Sequence, residues 1–183
     1  LTILSAGGSQ GASRINDAVV HLLSYEQKKG NINHIHGYGK HGKDTFMQSL
    51  AENGVDPDNE HFIIKEYIDN MYTCMCASDL IITRAGAMTL TELMAIGRAS
   101  ILIPYPYAAE NHQYYNALTL QNANAGRIID DKELTGAVLI DTVTKLTDDP
   151  ELLKLMSENA AKLSKHDAAG VILREITDLM GLE

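Results

Sequence analysis

The strongest candidate for chemistry is a glycine-rich segment near the start of the chain. Residues 7–13 read Gly-Gly-Ser-Gln-Gly-Ala-Ser and directly follow an apolar run over residues 2–6. Glycines let backbone N–H groups approach a phosphate closely, and the positive end of a following helix favours an anion. No lysine follows the last glycine, which excludes a Walker-type loop. The segment predicts either a phosphate-binding loop or a tight turn in which Ser13 caps the helix.

A second glycine pattern lies further along the chain. Gly37, Gly39 and Gly42 fit the dinucleotide pattern G-x-G-x-x-G, and Glu66 stands near the end of the next predicted strand. However, the strand before the pattern, residues 31–36, is polar, and the pattern alone has low specificity. A nicotinamide site is therefore the weaker alternative.

Two further patterns concern metals. Asp56-Pro57-Asp58 matches the D-x-D signature formally, but it precedes a strand, and a central proline is typical of a turn. Cys74 and Cys76 are too few for a zinc site and too close for an easy disulfide, which favours reduced thiols in the cytosol. We expect neither a metal nor a cofactor.

The segment from Arg84 to Glu92 offers an acidic residue at a predicted helix start. Thr89-x-x-Glu92 fits a capping box, in which Glu92 satisfies free N–H groups. The pattern alone favours this cap. The alternative is that Glu92 accepts hydrogen bonds from two ribose hydroxyls, since charged acceptors bind such donors strongly.

Residues 104–117 form a long polar loop that enters a helix, suited to hydrogen-bonding sugar hydroxyls. His112 and Gln113, at the helix start, are the candidates. The alternative is that His112 caps the helix and Asn116 bonds within it. No Ser/His/Asp or Cys/His set in the sequence suggests a covalent nucleophile.

Strand and helix patterns alternate along the chain, which predicts a parallel sheet covered by helices on both faces. The predicted strands cover residues 2–6, 31–36, 61–65, 79–83, 100–104 and 126–129. The C-terminal part is helical, with breaks expected at 148–150 and near His166. We expect one doubly wound, Rossmann-like α/β domain over residues 1–183, with its ligand beyond the carboxyl ends of the strands.

Composition narrows the function further. The 183 residues are 45% hydrophobic and 21% charged, which suits one globular domain. The net charge of −9 argues against nucleic acid as a partner and against docking of this segment on anionic lipid. No apolar run is long enough to span a bilayer. Because the chain opens on a strand at Leu1 without a methionine, we expect an excised piece of a longer protein.

Four segments, residues 7–12, 67–71, 84–92 and 110–117, resemble the MurG family in order and spacing. That family transfers N-acetylglucosamine (GlcNAc) from UDP-GlcNAc to lipid I, forming lipid II for peptidoglycan. The resemblance covers nearly the whole chain, but only the C-terminal half of the family's two-domain GT-B architecture. It implies a cytoplasmic donor domain that is inactive alone. The missing N-terminal half would bind lipid I and the membrane at the cytoplasmic face of the inner membrane.

The resemblance also assigns donor contacts to residues of this chain. The backbone of Ile68 would read the uracil edge, and Glu92 would hold the ribose hydroxyls. The loop that faces the pyrophosphate would consist of Gly8, Ser9, Gln10 and Gly11. The residues near phosphate and sugar at the next helix start would be Ala87, Met88 and Thr89. His112 and Gln113 would take the GlcNAc hydroxyls. Backbone amides would stabilise the departing UDP without a metal, and no catalytic base can be assigned.

Three alternatives remain open from the sequence. One is a stand-alone donor subunit that pairs with a separate membrane protein, as in the split dolichol-linked GlcNAc transferase. Another is a UDP-GlcNAc epimerase of related fold. The third is a nicotinamide-binding module that uses residues 37–42.

Overall fold

The computed structural model describes residues 1–165 and 167–181. Its centre is a six-stranded sheet in the order β3-β2-β1-β4-β5-β6, and every strand pair is parallel. The strands are β1 (Thr2–Ala6), β2 (Asn33–Gly37), β3 (Phe62–Lys65), β4 (Leu80–Thr83), β5 (Ala99–Leu102) and β6 (Gly126–Ile128). The predicted doubly wound parallel sheet is thereby confirmed.

The helices follow the strands in chain order. They are α1 (Ser13–Lys29), α2 (Lys43–Glu52), α3 (Met71–Ala77), α4 (Ala87–Ile96), α5 (His112–Asn122), α6 (Gly136–Thr147), α7 (Pro150–Lys162) and α8 (Ala168–Met180). The predicted break at 148–150 is confirmed: α7 begins at Pro150, where Asp149 caps it by accepting from the N–H of Leu152 at 3.0 Å. His166 lies outside the described residues. Across the described chain, no helix is both long enough and apolar enough to cross a membrane.

The continuous apolar runs of the central strands are explained by burial on both faces of the sheet. Side chains alternate between faces along a strand, so neighbours such as Ile3 and Leu4 enter different cores. Ile3 packs with the residues of α1 and α6 on one face, whereas Leu4 packs with those of α4 and α5 on the other. Both side chains are at most 1% exposed.

The chain reverses its winding direction between β1 and β4. From β1 the chain passes through α1 to β2 on one side, and from β4 it passes through α4 to β5 on the other. Because α1 and α4 lie on opposite faces of the sheet, the loops that enter them diverge and leave a crevice. Ligands of doubly wound folds bind at such a switch point.

Candidate functional site

The loop after β1 leaves the start of α1 open. Gly8 and Gly11 have φ values of 93° and 87°, in the left-handed region that favours glycine. The N–H of Gly11 donates to the carbonyl of Gly8 at 3.0 Å and closes the turn. The helix begins at Ser13 after Ala12, without a side-chain cap. The alternative in which Ser13 caps α1 is therefore wrong, and the positive end of a 17-residue helix faces the loop without a capping side chain.

The loop after β2 supports this first loop and explains the second glycine pattern. The N–H groups of Lys40 and His41 donate to the carbonyls of Ser9 and Gln10, each at 3.1 Å. Gly39 lies so close to Gly11 that a side chain there would collide with the backbone. The pattern at 37–42 is thus accounted for by backbone packing within the protein, without a dinucleotide.

A cavity of about 90 Å³ lies at the switch point and brings three predicted residues together, Gly8, Thr89 and Glu92. The other residues that line it are Leu4, Ala6, Met71, Met75, Ile81, Ile82 and Thr83. Gln10 and Gly11 instead line a separate cavity of about 250 Å³ between α1 and α2. The glycine loop therefore borders two cavities, and only its first half faces Glu92.

Glu92 is exposed and does not cap its helix. Gly86 is the N-cap of α4, which begins at Ala87, so Thr89 already lies inside the first turn. The capping-box interpretation is wrong for this reason. Among the described residues, the Glu92 carboxylate forms neither a hydrogen bond nor an ion pair. It is free to accept from a ligand, while the neighbouring Met88 is 74% exposed.

Ile68, in the loop after β3, does not line this cavity, but its side chain belongs to the same apolar cluster as Leu4 and Met75. That side chain is 4% exposed and lies under the end of β2, where an added Cβ on Gly37 would be 3.2 Å from its Cδ1 atom. Packing of this kind fixes the path of the backbone at Ile68.

The loop after β5 carries the predicted sugar-binding residues. Glu110 and Asn111 both adopt left-handed conformations, with φ values of 50° and 54°, and Asn111 is the N-cap of α5. His112 is the exposed first residue of that helix, so the alternative in which it caps α5 is wrong. The side-chain amide of Asn116 donates to the carbonyl of Ala85 at 3.4 Å, outside its own helix, which corrects the second half of that alternative.

Sequence reasoning missed an ion network that connects four elements of this edge. Arg84 Nη1 lies 2.6 Å from Asp131 Oδ1, and Arg14 Nε lies 3.2 Å from Asp131 Oδ2. Arg84 Nη1 also donates to the carbonyls of Ile103 and Pro104 at 3.2 and 3.3 Å. Arg84 belongs to a segment that the sequence singled out, but its partner is 47 residues away and carries no local signal.

A second missed network lies beneath the glycine loop. Ser5 Oγ is 2.7 Å from both His34 Nε2 and His36 Nδ1, and His34 Nδ1 is 2.7 Å from Glu26 Oε2. The order serine, histidine, carboxylate is that of a hydrolase triad. All four residues are at most 1% exposed, so Ser5 has no access to a substrate and the network joins α1, β1 and β2 internally.

Burial favours the neutral form of His36 in this network. Burial lowers the pKa of His36 from 6.5 to about 3, and the nearby His34 ring acts in the same direction. The polar pattern of residues 31–36 was the available signal, since two histidines alternate with apolar residues there. In the sequence this polarity counted only against a dinucleotide site, whereas the structure buries both histidine side chains completely.

The two metal-like patterns have simpler structures. The N–H of Asp58 donates to Asp56 Oδ1 at 3.0 Å, which confirms the predicted turn. Cys74 and Cys76 are free thiols. In residues 1–165 and 167–181, no group of three or more His, Cys, Asp or Glu residues is arranged to hold a metal ion.

Six parallel strands in this order, with a glycine loop and a free carboxylate at the switch point, define a Rossmann-like α/β domain with its ligand crevice at the carboxyl edge. Residues 2–172 match the glycosyltransferase family 28 C-terminal domain, and the chain belongs to that family. The resemblance to the MurG family is confirmed by its relatives.

Curated relatives carry the name UDP-N-acetylglucosamine–N-acetylmuramyl-(pentapeptide) pyrophosphoryl-undecaprenol N-acetylglucosamine transferase. The protein from Desulforamulus reducens is 39% identical over 98% of this chain and 49% of its own length. That from Halothermothrix orenii is 38% identical over 96% of this chain and 48% of its own. The chain thus spans about half the length of the curated relatives it matches.

Solved structures agree on the fold. The crystal structure of Acinetobacter baumannii MurG superposes with a TM-score of 0.84 at 29% identity, covering 97% of this chain and 50% of that one. An S. aureus MnaA–UDP co-structure superposes at 0.74 with 11% identity, covering 100% of this chain and 46% of that one. The second likeness concerns the fold alone.

Proposed function

We propose that this chain is the donor-binding half of an inverting glycosyltransferase that transfers GlcNAc from UDP-GlcNAc to lipid I, forming lipid II. The observation that carries the proposal is the cavity at the β1–β4 switch, where Gly8, Thr89 and the unpaired carboxylate of Glu92 meet. The names of the relatives supply the substrate pair.

Each part of the donor has a counterpart at this edge of the sheet. The pyrophosphate would face the loop of residues 8–11. It would accept from the loop amides other than that of Gly11, which donates to Gly8, and from the open start of α1. The ribose hydroxyls would donate to Glu92, and the uracil edge would pair with the backbone of Ile68. His112 and Gln113 would contact the GlcNAc ring, with Ala87, Met88 and Thr89 beside the phosphate and sugar.

Transfer requires one bond to form and one to break at the anomeric carbon. The lipid I hydroxyl oxygen attacks from the face opposite UDP, its proton passes to a base, and UDP departs with the bonding electron pair. The loop amides and the α1 terminus would stabilise the charge on that leaving group. The attacking oxygen must lie within about 3–3.5 Å of the anomeric carbon. No residue of the described chain is assigned as the base.

The remaining half of the relatives' length would supply the acceptor site, the base and the membrane contact. We therefore propose a full-length protein at the cytoplasmic face of the inner membrane, with this chain as its C-terminal half. Helix α8 is consistent with this proposal, because none of its described residues is buried and a further segment would cover it. The apolar side chains that it leaves exposed include Val171, Ile172, Leu173, Ile176, Leu179 and Met180.

Titration of the ¹⁵N-labelled chain with UDP tests the proposal. Amide shifts are expected in residues 7–12, at Ile68 and in residues 84–92. A parallel titration with NAD is the control. Shifts that are confined to residues 37–42, or binding of NAD in preference to UDP, would contradict the proposal and favour the nicotinamide alternative.

A further inference from the structure

The orientation of the Gln113 side chain is fixed by a backbone contact. Its Oε1 atom accepts from the N–H of Tyr105 at 3.0 Å. A glutamine amide has one acceptor oxygen and one nitrogen with two N–H donors. Because Tyr105 occupies the oxygen, Gln113 offers a ligand its donors, while the oxygen is already engaged.

The position of Tyr105 is in turn determined by Arg84. Its guanidinium carbon lies 5.6 Å from the centroid of the Tyr105 ring, and Nη1 donates to the two carbonyls that precede Tyr105, those of Ile103 and Pro104. Asp131 holds Arg84 in place at 2.6 Å, and the side chains of the pair are only 9% and 16% exposed. A planar guanidinium suits this combination of stacking and several hydrogen bonds, which a lysine does not reproduce.

We propose that Arg84 and Asp131 are positioning residues that hold Gln113 as a hydrogen-bond donor to an acceptor oxygen of the bound sugar. The proposal rests on the proposed function and specifies how the sugar is read. A hydroxyl oxygen or the carbonyl oxygen of an acetamido group satisfies Gln113, whereas a sugar that presents only an N–H or cationic group at this point does not. Recognition therefore depends on a chain of contacts from Asp131 through Arg84 and Tyr105 to Gln113.

Two variants separate this role from general support of the fold. Gln113→Glu keeps an acceptor for the Tyr105 N–H but replaces the two donors by a second acceptor oxygen. Arg84→Lys keeps the charge but loses the planar contacts with residues 103–105. Arg14→Gln is the matched control, since Arg14 binds the other oxygen of the same Asp131 carboxylate. Among the described residues, its side-chain hydrogen bonds and ion pair are with Asp131 alone.

The experiment is calorimetric binding of UDP and of UDP-GlcNAc to the 183-residue chain and its variants, with melting temperatures recorded. Gln113→Glu and Arg84→Lys should each weaken UDP-GlcNAc roughly five- to tenfold, the range for one lost hydrogen bond, and leave UDP within about twofold. The double variant should lose little more than either single variant, because both changes break one chain of contacts. Arg14→Gln should leave the ratio of the two affinities unchanged.

Equal losses for UDP and UDP-GlcNAc in both single variants would overturn the positioning role. Fully additive losses in the double variant would overturn it as well. Should Arg84→Lys fail to fold, the Gln113→Glu variant and Asp131→Asn decide the outcome through the same affinity ratio. Failure of the unmodified chain to bind UDP would be a different result, because it would remove the proposed function itself.

Discussion

The side-chain amide of Asn16, the fourth residue of α1, donates to the backbone carbonyl of Tyr38 at 2.9 Å. Asn16 is 4% exposed, so this bond is made away from water. Together with the amides of Lys40 and His41, which donate to Ser9 and Gln10, it clamps the loops after β1 and β2 together. The glycine loop is therefore braced from the side opposite the switch-point cavity.

Asn16→Ala should loosen this brace. The variant leaves the Tyr38 carbonyl buried without its donor, which costs about 1–3 kcal/mol of unfolding free energy. We also expect weaker UDP binding, because the loop that we propose to face the pyrophosphate loses support. Urea denaturation and UDP calorimetry measure the two effects, with the exposed Asp17→Asn as the neighbouring control. Unchanged stability in Asn16→Ala would show that the bond contributes nothing net.

Glu92→Gln should weaken UDP binding roughly 10- to 100-fold, the range for losing a charge-assisted pair of hydrogen bonds. The melting temperature should be unchanged, because the carboxylate neither caps α4 nor pairs with another described residue. Calorimetry gives the affinity, and Glu158→Gln on the surface of α7 controls for the loss of one negative charge. A wild-type affinity in Glu92→Gln would remove Glu92 from the site.

Stability should fall in mild acid because of His36. Its pKa is about 3 in the folded chain and 6.5 when exposed, so the unfolded state binds a proton that the folded state excludes. The contribution of neutral His36 to the free energy of unfolding is complete above pH 6.5 and is lost as the pH falls towards 3. Between about pH 7.5 and about pH 5 this group alone removes about 2 kcal/mol of unfolding free energy.

The His36→Gln variant tests this assignment. Its unfolding free energy should be lower than that of the wild type at neutral pH and should change less over the same pH interval. Exposed His41→Gln should keep the wild-type pH dependence. If His36→Gln retains the full acid sensitivity, the effect belongs to other groups.

The chain alone should bind donor without transferring it. The acceptor site and base would lie in the missing half, so radiolabelled UDP-GlcNAc and a lipid I analogue should give no product with this chain. Supplying that half, in trans or as an upstream fusion, should restore transfer. Turnover by the 183-residue chain by itself would be incompatible with the half-enzyme proposal.

Negative charges introduced on α8 should weaken association with the missing half and leave the stability and UDP affinity of the chain unchanged. Ile172 and Leu179 are 59% and 87% exposed, so the Ile172→Glu/Leu179→Glu variant has no buried contact to lose. Its melting temperature and UDP affinity should match the wild type, whereas association with the missing half, measured by sedimentation, should weaken. Lys162→Glu at the end of α7 controls for added negative charge. Normal association would mean that α8 is not covered by that half.

The sequence predicted the sheet well because its central strands are buried on both faces. β1, β4 and β5 are near-continuous apolar runs, and their predicted and observed bounds differ by at most two residues at either end. The switch point also brought Gly8 and Glu92 to one cavity, as the alternation of strands and helices implies.

Predictions failed where a residue's role depends on an exact helix start or a distant partner. Helix α1 begins at Ser13, α4 begins before Thr89 and α5 begins at His112, so all three capping interpretations were wrong. A cap must be the one residue directly before the helix, whereas sequence patterns place the end of a helix only to within a few residues. A capping residue therefore cannot be identified reliably from the sequence. Asp131 could not be paired with Arg84 from the sequence, since the loops after β4 and β6 meet only in the folded chain.

The two left-handed residues before α5 have a consequence for how such domains diverge. Glu110 and Asn111 hold a conformation that costs non-glycine residues about 1–2 kcal/mol each, with asparagine at the lower end. The turn is closed locally, by the N–H of Asn111 donating to the carbonyl of Ala108 at 2.9 Å. Insertions or substitutions here would change the shape of the loop next to His112, and their energetic cost would be confined to that loop. Under the proposed function, changes confined to this loop would therefore alter the sugar pocket and leave the sheet and the proposed nucleotide crevice as they are.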